Sequence, residues 1–244
     1  MSDWYKEWFA SAEYLDVYSH RDKTDAYNLL NLVKRELEFG KGTRTLDAAC
    51  GSGRFSNLFA KEGFNVTAFD LSMQLLRIAK QNSIEENLDV KYFRSDIRNV
   101  PLKGSFNLVL NMFTSFGYFN TDDENFSFIR SAYQLLNDNG YFIFDYLNKN
   151  YVINNLVERS EKIINDKIIT ELRKINKNRV EKEIIIETKE GEKRFKESVM
   201  LYSKKEIIEG FEKYGFKTYK IFGDYFGKEF NSLTSDRLLI FFIK

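Results

Sequence analysis

Apolar residues in this chain recur with two periods, and the period switches along its length. Between residues 24 and 38, Ala26, Leu29, Leu30, Val33 and Leu37 follow helical spacing, which predicts a helix that Asp22 caps and Gly40 ends. Residues 54–61 place Phe55, Leu58 and Phe59 on one side and predict a second helix. Short apolar runs between such segments predict strands at 43–47, 65–70, 90–93, 106–111 and 141–147. Ser72 is placed to cap a helix at 73–81. Thr121 and Glu124 form a capping-box pattern before a helix at 126–136, closed by Asn139-Gly140. Strands alternating with helices predict an α/β fold around a parallel sheet.

The ends and one internal stretch depart from this rhythm. Residues 3–19 hold Trp4, Tyr5, Trp8, Phe9, Tyr14 and Tyr18, with Trp4 and Trp8 on one face of a predicted helix. Such a helix either packs its aromatics on the domain or closes over a ligand. Between 152 and 202 the alternation becomes strand-like, at 167–175, 179–188 and 194–202, with a hairpin turn at Glu190-Gly191 and charges on one face. This predicts a small antiparallel insertion, either a lid or a dimerisation segment, within a domain made of residues 1–151 and 203–244. Ser203 and Glu206 form a second capping box, and two strands at 217–223 and 236–242 complete the sheet.

Composition narrows the field. The chain has 244 residues, with 37 basic and 36 acidic side chains, so no charge excess points to nucleic acid or a membrane surface. Cys50 is the sole cysteine, which excludes an intrachain disulfide and fits a reducing cytoplasm. No signal-peptide pattern and no membrane-length apolar run are present, so a cytoplasmic protein is expected.

The stretch Thr45–Ser56, TLDAACGSGRFS, carries the chemistry. It reads as strand, glycine turn, helix, the order that sets a nucleotide-like ligand against the end of a parallel sheet. Gly51 and Gly53 allow positive φ and close approach to a ligand. Asp70 ends the next strand, where an acid accepts bonds from both ribose hydroxyls. Ser56 holds the position of the third glycine in a dinucleotide fingerprint, and Asp47 beside the turn would repel a pyrophosphate. A cationic ligand with a ribose and no phosphate suits the site better. The segment His20-Arg21-Asp22 matches the kinase triplet, but Tyr27 stands where that motif needs Asn, and too few residues precede it.

TLDAACGSG resembles motif I of the class I S-adenosylmethionine (SAM) dependent methyltransferases, and VTAFDLS, RSDIRNVP and FNLVLNMFTSFGYF resemble the three motifs that follow. The closest likeness is to small-molecule enzymes with an antiparallel insertion after the fifth strand. The resemblance implies a Rossmann-like seven-stranded sheet of order 3-2-1-4-5-7-6. It implies SAM as cofactor, held by Asp47, Ala48, Cys50, Gly51 and Gly53 in motif I, and by Asp70, Leu71 and Met73 in motif II. Asp96, Ile97, Asn111, Met112 and Phe113 follow from the later motifs. Tyr18 and Arg21 are further candidates, Arg21 for the methionine carboxylate or else a surface ion pair.

A methyl on a sulfonium is already activated, so the main tasks are alignment and exclusion of water. Candidate catalytic groups are Tyr118, which could orient the acceptor, and His20, the only histidine. Trp4, Tyr14 and Phe116 are candidate substrate contacts. No cluster has metal-ligand spacing, so no metal is expected. The expectation is methyl transfer to nitrogen or oxygen of a small molecule by a monomer or homodimer. RNA or protein methylation is a second reading, and a non-catalytic SAM-binding scaffold a third.

Overall fold

The structure is a computed structural model and describes residues 3–18 and 24–244. Two short helices, α1 (Trp4–Trp8) and α2 (Glu13–Val17), replace the single N-terminal helix expected from the aromatic spacing. The helix α3 (Thr24–Leu37) follows, and Asp22, its expected cap, lies outside the described residues. The body then alternates: β1 (Arg44–Ala48), α4 (Arg54–Lys61), β2 (Asn65–Asp70), α5 (Met73–Glu85), β3 (Val90–Arg94) and β4 (Phe106–Asn111). It continues through α6 (Asp122–Leu135), β5 (Leu136–Leu147) and α7 (Lys149–Asn154). Four strands come next: β6 (Arg159–Ile164), β7 (Lys167–Asn176), β8 (Arg179–Thr188) and β9 (Gly191–Met200). The chain closes with α8 (Lys204–Glu212), β10 (Lys217–Phe222) and β11 (Arg237–Ile243).

The large sheet runs β10-β11-β5-β4-β1-β2-β3, the order expected from the sequence, with β11 antiparallel to β5 and the rest of the core strands parallel. Its central strands read as continuous apolar runs because helices cover both faces. One face packs Phe128, Ile129, Phe142, Phe144, Phe211 and Phe242, and the other packs Leu29, Val33, Phe59, Leu110, Ile143 and Phe241. Ser72 and Ser203 cap α5 and α8 as expected, the latter in a full capping box.

Three details differ from expectation. Asn139-Gly140 does not end α6. The helix passes directly into β5, and Asn139 adopts φ 60° where the β4–β5 register shifts, so the pair forms an irregularity inside the strand. The second sheet has order β6-β7-β8-β9, one strand more than expected, because the half-exposed, charge-rich β6 carries little apolar signal. The β8–β9 turn is Lys189-Glu190, since Thr188 pairs with Gly191. A third core lies between this sheet and the N-terminal helices, where Ile169, Ile184 and Ile186 meet Trp4, Tyr5 and Trp8.

Candidate active site

The strand order reverses between β1 and β4, and their carboxyl ends open a crevice there. The chain leaves β1 through three left-handed residues: Ala49 (φ 56°), Gly51 (φ 57°) and Gly53 (φ 78°). Left-handed backbone at the non-glycine Ala49 is held by its neighbours, since the Cys50 amide donates to the Phe69 carbonyl at 2.9 Å. The Gly51 amide donates to Asp70 Oδ2 at 2.8 Å, and the Ser72 amide donates to Asp70 Oδ1 at 2.8 Å. Each Asp70 oxygen is thereby oriented by one backbone donor and keeps acceptor capacity for a hydroxyl. Asp47 is buried and accepts from Ser56 Oγ at 2.5 Å. That bond gives Ser56 a purpose at the position of the missing third glycine.

Among the described residues, hydroxyl and amide donors alone bond these two carboxylates, with no lysine or arginine on either. Burial pushes Asp70 above its ordinary value despite its amide bonds. Burial, with the nearby Asp70 charge adding to it, pushes Asp47 up to about 6, against the bond from Ser56. Arg54 lies close enough to Asp47 to lower its value but leaves it well above the ordinary range, and two buried carboxylates at a nucleotide crevice fit a cation that carries a ribose. They do not fit a phosphate.

The two glycines serve different ends. A β-carbon built at Gly51 meets nothing within 4 Å, and Gly51 lines the cavity, whereas one at Gly53 meets Tyr92 Oη at 2.5 Å and Ala79 Cβ at 2.8 Å. Gly51→Ala is therefore expected to weaken SAM binding about tenfold or more, through lost ligand space and the cost of about 1 kcal/mol for left-handed alanine. Gly53→Ala should also lower the melting temperature, because it pushes α4 off α5. Calorimetric titration beside thermal unfolding checks both, and a Gly51→Ala protein with wild-type affinity removes this turn from the site.

A cavity of about 820 Å³ fills the crevice. Asp47, Cys50, Gly51, Asp70 and Leu71 line it from the first two strand ends, and Asp96, Ile97, Met112 and Phe113 from the next two. The cover brings Trp4, Tyr14 and Tyr18 from the N-terminal helices and Tyr118 from the loop after β4. Trp4 and Tyr118 pack edge to face, 5.1 Å between centroids. Asp96 is held by Arg98, whose Nη2 donates at 2.7 Å and keeps the carboxyl below its ordinary value.

Several expected contacts lie elsewhere. Phe116 is in the core, ringed by Phe126, Phe144, Tyr146 and Tyr202, so it does not line the cavity as a substrate contact should. Ala48 and Asn111 sit beneath the crevice, tied by Asn111 Nδ2 donating to the Ala48 carbonyl at 3.2 Å. Gly53 is turned into α5, and Met73 is 43% exposed outside the cavity. His20 and Arg21 lie outside the described residues.

Sequence reasoning named Phe113 but missed what anchors it and the charged wall opposite. Phe113 (φ 54°) and Thr114 (φ 62°) turn the chain out of β4 in left-handed conformation. They are anchored by the fully buried Asp145, which accepts from the Phe113 amide at 2.8 Å and from Tyr225 Oη at 2.6 Å. Arg237 donates to both Asp145 oxygens, at 2.9 and 2.7 Å, and to Thr114 Oγ1 at 3.0 Å. Arg173, Lys182 and Glu197 of the inserted sheet also line the cavity. Charges alternating along a strand read as a solvated face, which hid them.

This sheet order, with an acidic crevice at the β1/β4 switch point, is the Rossmann-like fold of the class I methyltransferases that the motifs resemble. Residues 45–140 match the family model of a methyltransferase domain. It is similar to a malonyl-[acyl-carrier protein] O-methyltransferase of Pectobacterium atrosepticum, 36% identical over 90 residues, 37% of this chain and 32% of that protein. It is also similar to a 23S rRNA uracil-C5 methyltransferase of Pyrococcus abyssi, 33% identical over 89 residues, 36% of this chain and 22% of that one. The chain spans under half the length of the curated relatives it matches. Among solved structures, a SAM-dependent methyltransferase from Clostridium acetobutylicum shares the fold with TM-score 0.82 at 18% identity, covering 98% of each chain. A SAM-bound amino pentose methyltransferase from Micromonospora echinaspora shares it with TM-score 0.71 at 16% identity, covering 96% of this chain and 97% of that one.

Proposed function

We propose that this chain transfers a methyl group from SAM to a nitrogen or oxygen of a small molecule. The observation that carries the reading is the deep cavity at the crevice. At about 820 Å³ it exceeds what one cofactor needs, and its far side is walled by the inserted sheet and the aromatic N-terminal helices. A polymer substrate needs an open approach and, for RNA, a basic surface, whereas the chain carries 37 basic against 36 acidic residues.

When bound, the cofactor supplies an electrophilic methyl on a sulfonium. Asp70 holds the ribose hydroxyls, Asp47 places negative charge beside the cationic end, and the Asp96–Ile97 segment borders the base. Trp4, Phe9 and Tyr118 exclude water from the mouth, and Tyr118 orients the acceptor; its ring packs at a 41° tilt against Phe9, 5.8 Å between centroids. An amine acceptor needs only to arrive unprotonated, and an aromatic wall suits it. For a hydroxyl acceptor, His20 remains the candidate base. RNA methylation is the second reading, favoured by the Pyrococcus abyssi relative.

Incubation with methyl-labelled SAM and fractionated cell extract tests this. Label is expected in the low-molecular-mass fraction, and label confined to RNA or protein refutes the small-molecule reading.

The raised Asp47 value adds a pH dependence. Its folded value near 6 lies above the ordinary 3.8, so the ligand-free protein binds that proton more tightly than the unfolded chain. The group's contribution to stability therefore falls as pH rises from about 4 to 6, by up to about 3 kcal/mol. Cation binding prefers the ionised carboxyl, so SAM affinity should rise about tenfold from pH 5 to 7. Calorimetry across that range checks the slope, and Asp47→Asn is expected to flatten it.

A further inference from the structure

The inserted sheet turns a row of charges inward. Arg173 of β7 pairs in register with Lys182 of β8, which pairs in register with Glu197 of β9, and all three line the cavity. Lys182 Nζ lies 2.7 Å from Glu197 Oε2 and 3.5 Å from Glu171 Oε1, while Arg173 bonds Glu171. Their side chains are largely shielded, from 22% exposed at Arg173 to 9% at Glu171. Glu197 Oε1 further accepts from Trp8 Nε1 at 2.6 Å and Tyr18 Oη at 2.5 Å. Burial pushes the Glu197 carboxyl up, but Lys182, Tyr18 and Trp8 outweigh it and hold it below its ordinary value. The next row of the same strands is apolar, Val180 pairing with Val199, and lines the cavity beside the charges.

Buried ion pairs contribute little stability over well-packed apolar residues. The neighbouring Val180–Val199 row shows that apolar side chains fit this wall. The row borders the cavity where the sheet meets the N-terminal helices: Lys182 Nζ is taken up by Glu197, Glu171 and Tyr18 Oη, while Glu197 Oε2 and the Arg173 guanidinium keep bonding capacity for a ligand. The crevice end supplies the cofactor's contacts from other elements, which leaves this wall for the second substrate.

We propose that the Arg173–Lys182–Glu197 row selects the methyl acceptor, and that the acceptor is a compact compound bearing several hydroxyl or amino groups rather than a flat aromatic. The inference rests on the small-molecule reading above. A donor from Arg173 meets hydroxyl oxygens, and Glu197 Oε2, held in place by Lys182, meets hydroxyl or ammonium protons. One wall thereby reads both polarities, and a flat apolar ring would leave these groups desolvated and unmatched.

The test uses the full chain saturated with S-adenosylhomocysteine. Saturation-transfer NMR and calorimetry compare a panel of aminohexoses, aminopentoses and aminocyclitols with catechols and phenols of similar size. Members of the polar group are expected to bind the wild type, and K182M/E197M, which removes both charges together, should weaken them more than tenfold. The same variant should keep S-adenosylhomocysteine affinity within about tenfold, while its melting temperature falls because Trp8 Nε1 and Tyr18 Oη lose their acceptor; E197Q, which keeps that acceptor, should weaken the polar group with a melting temperature closer to wild type. Three results overturn the proposal: binding of the flat aromatics in preference, polar binding unchanged in the variant, or no binding by the polar panel. Preferred aromatic binding leaves the small-molecule reading standing, whereas label found only in RNA removes that reading itself.

Discussion

Asp70→Ala is expected to weaken SAM binding by about 2–4 kcal/mol, roughly 30- to 1,000-fold, while leaving a folded protein. Asp70 Oδ1 and Oδ2 each already accept one backbone amide at 2.8 Å, from Ser72 and Gly51. The carboxylate is thus pre-aimed, and on the proposed reading two ribose hydroxyls would complete its bonding without any rearrangement. The substitution removes both hydroxyl bonds and also releases the Gly51 amide that shapes the turn. Loss of a buried charge partly offsets the two orphaned amides, so stability should move less than affinity. Asp70→Asn separates the contributions, since its carbonyl keeps one acceptor and its amide repels a second donor. Calorimetric titration measures the change, and unchanged affinity in a folded Asp70→Ala protein takes the residue out of the site.

Asp145→Ala should cost about 3–5 kcal/mol of stability, the scale for breaking a buried ion pair from one side. Asp145 has no solvent exposure, and it carries two bonds from Arg237, one from Tyr225 and one from the Phe113 amide. Alanine leaves the guanidinium uncompensated and the left-handed Phe113–Thr114 turn without its anchor. For a chain of this size the melting temperature should fall by roughly 6–20 °C. SAM affinity should fall as well, because Phe113 lines the cavity. Asp145→Ala combined with Arg237→Met removes both charges and should recover much of the stability but not the affinity. A single substitution costing under about 1 kcal/mol means the pair is not what holds this corner.

Within the family resemblance, the order of the sheet was legible from motifs whose residues do local work. A strand ending in Asp47, a turn needing left-handed backbone at Gly51 and Gly53, and an acid at the end of β2 are each set by nearest-neighbour geometry. The same holds for the Ser72 and Ser203 caps, where a hydroxyl meets an amide three residues on. Continuous apolar runs in β4 and β11 announced strands covered on both faces.

What the tertiary structure decided is the far side of the cavity. Phe116 and Tyr118 lie two positions apart on one loop, yet the first is in the core and the second lines the cavity, because the turn at Gly117 (φ 85°) sends them apart. Glu197 and Lys196 look alike along β9, but only Glu197 faces inward, where Trp8 and Tyr18 meet it from 179 or more positions away. Asp145 carries no local signal at all: its partners come from the turn after β4, from β11 and from the Tyr225 loop, brought together only when β11 inserts antiparallel beside β5. The sequence by itself determined the strands of the large sheet, most of their helices and the glycine turn after β1, since these depend on interactions a few residues long. Burial of charge depends on which surface covers it, and that was settled only when the inserted sheet and the N-terminal helices closed over the crevice.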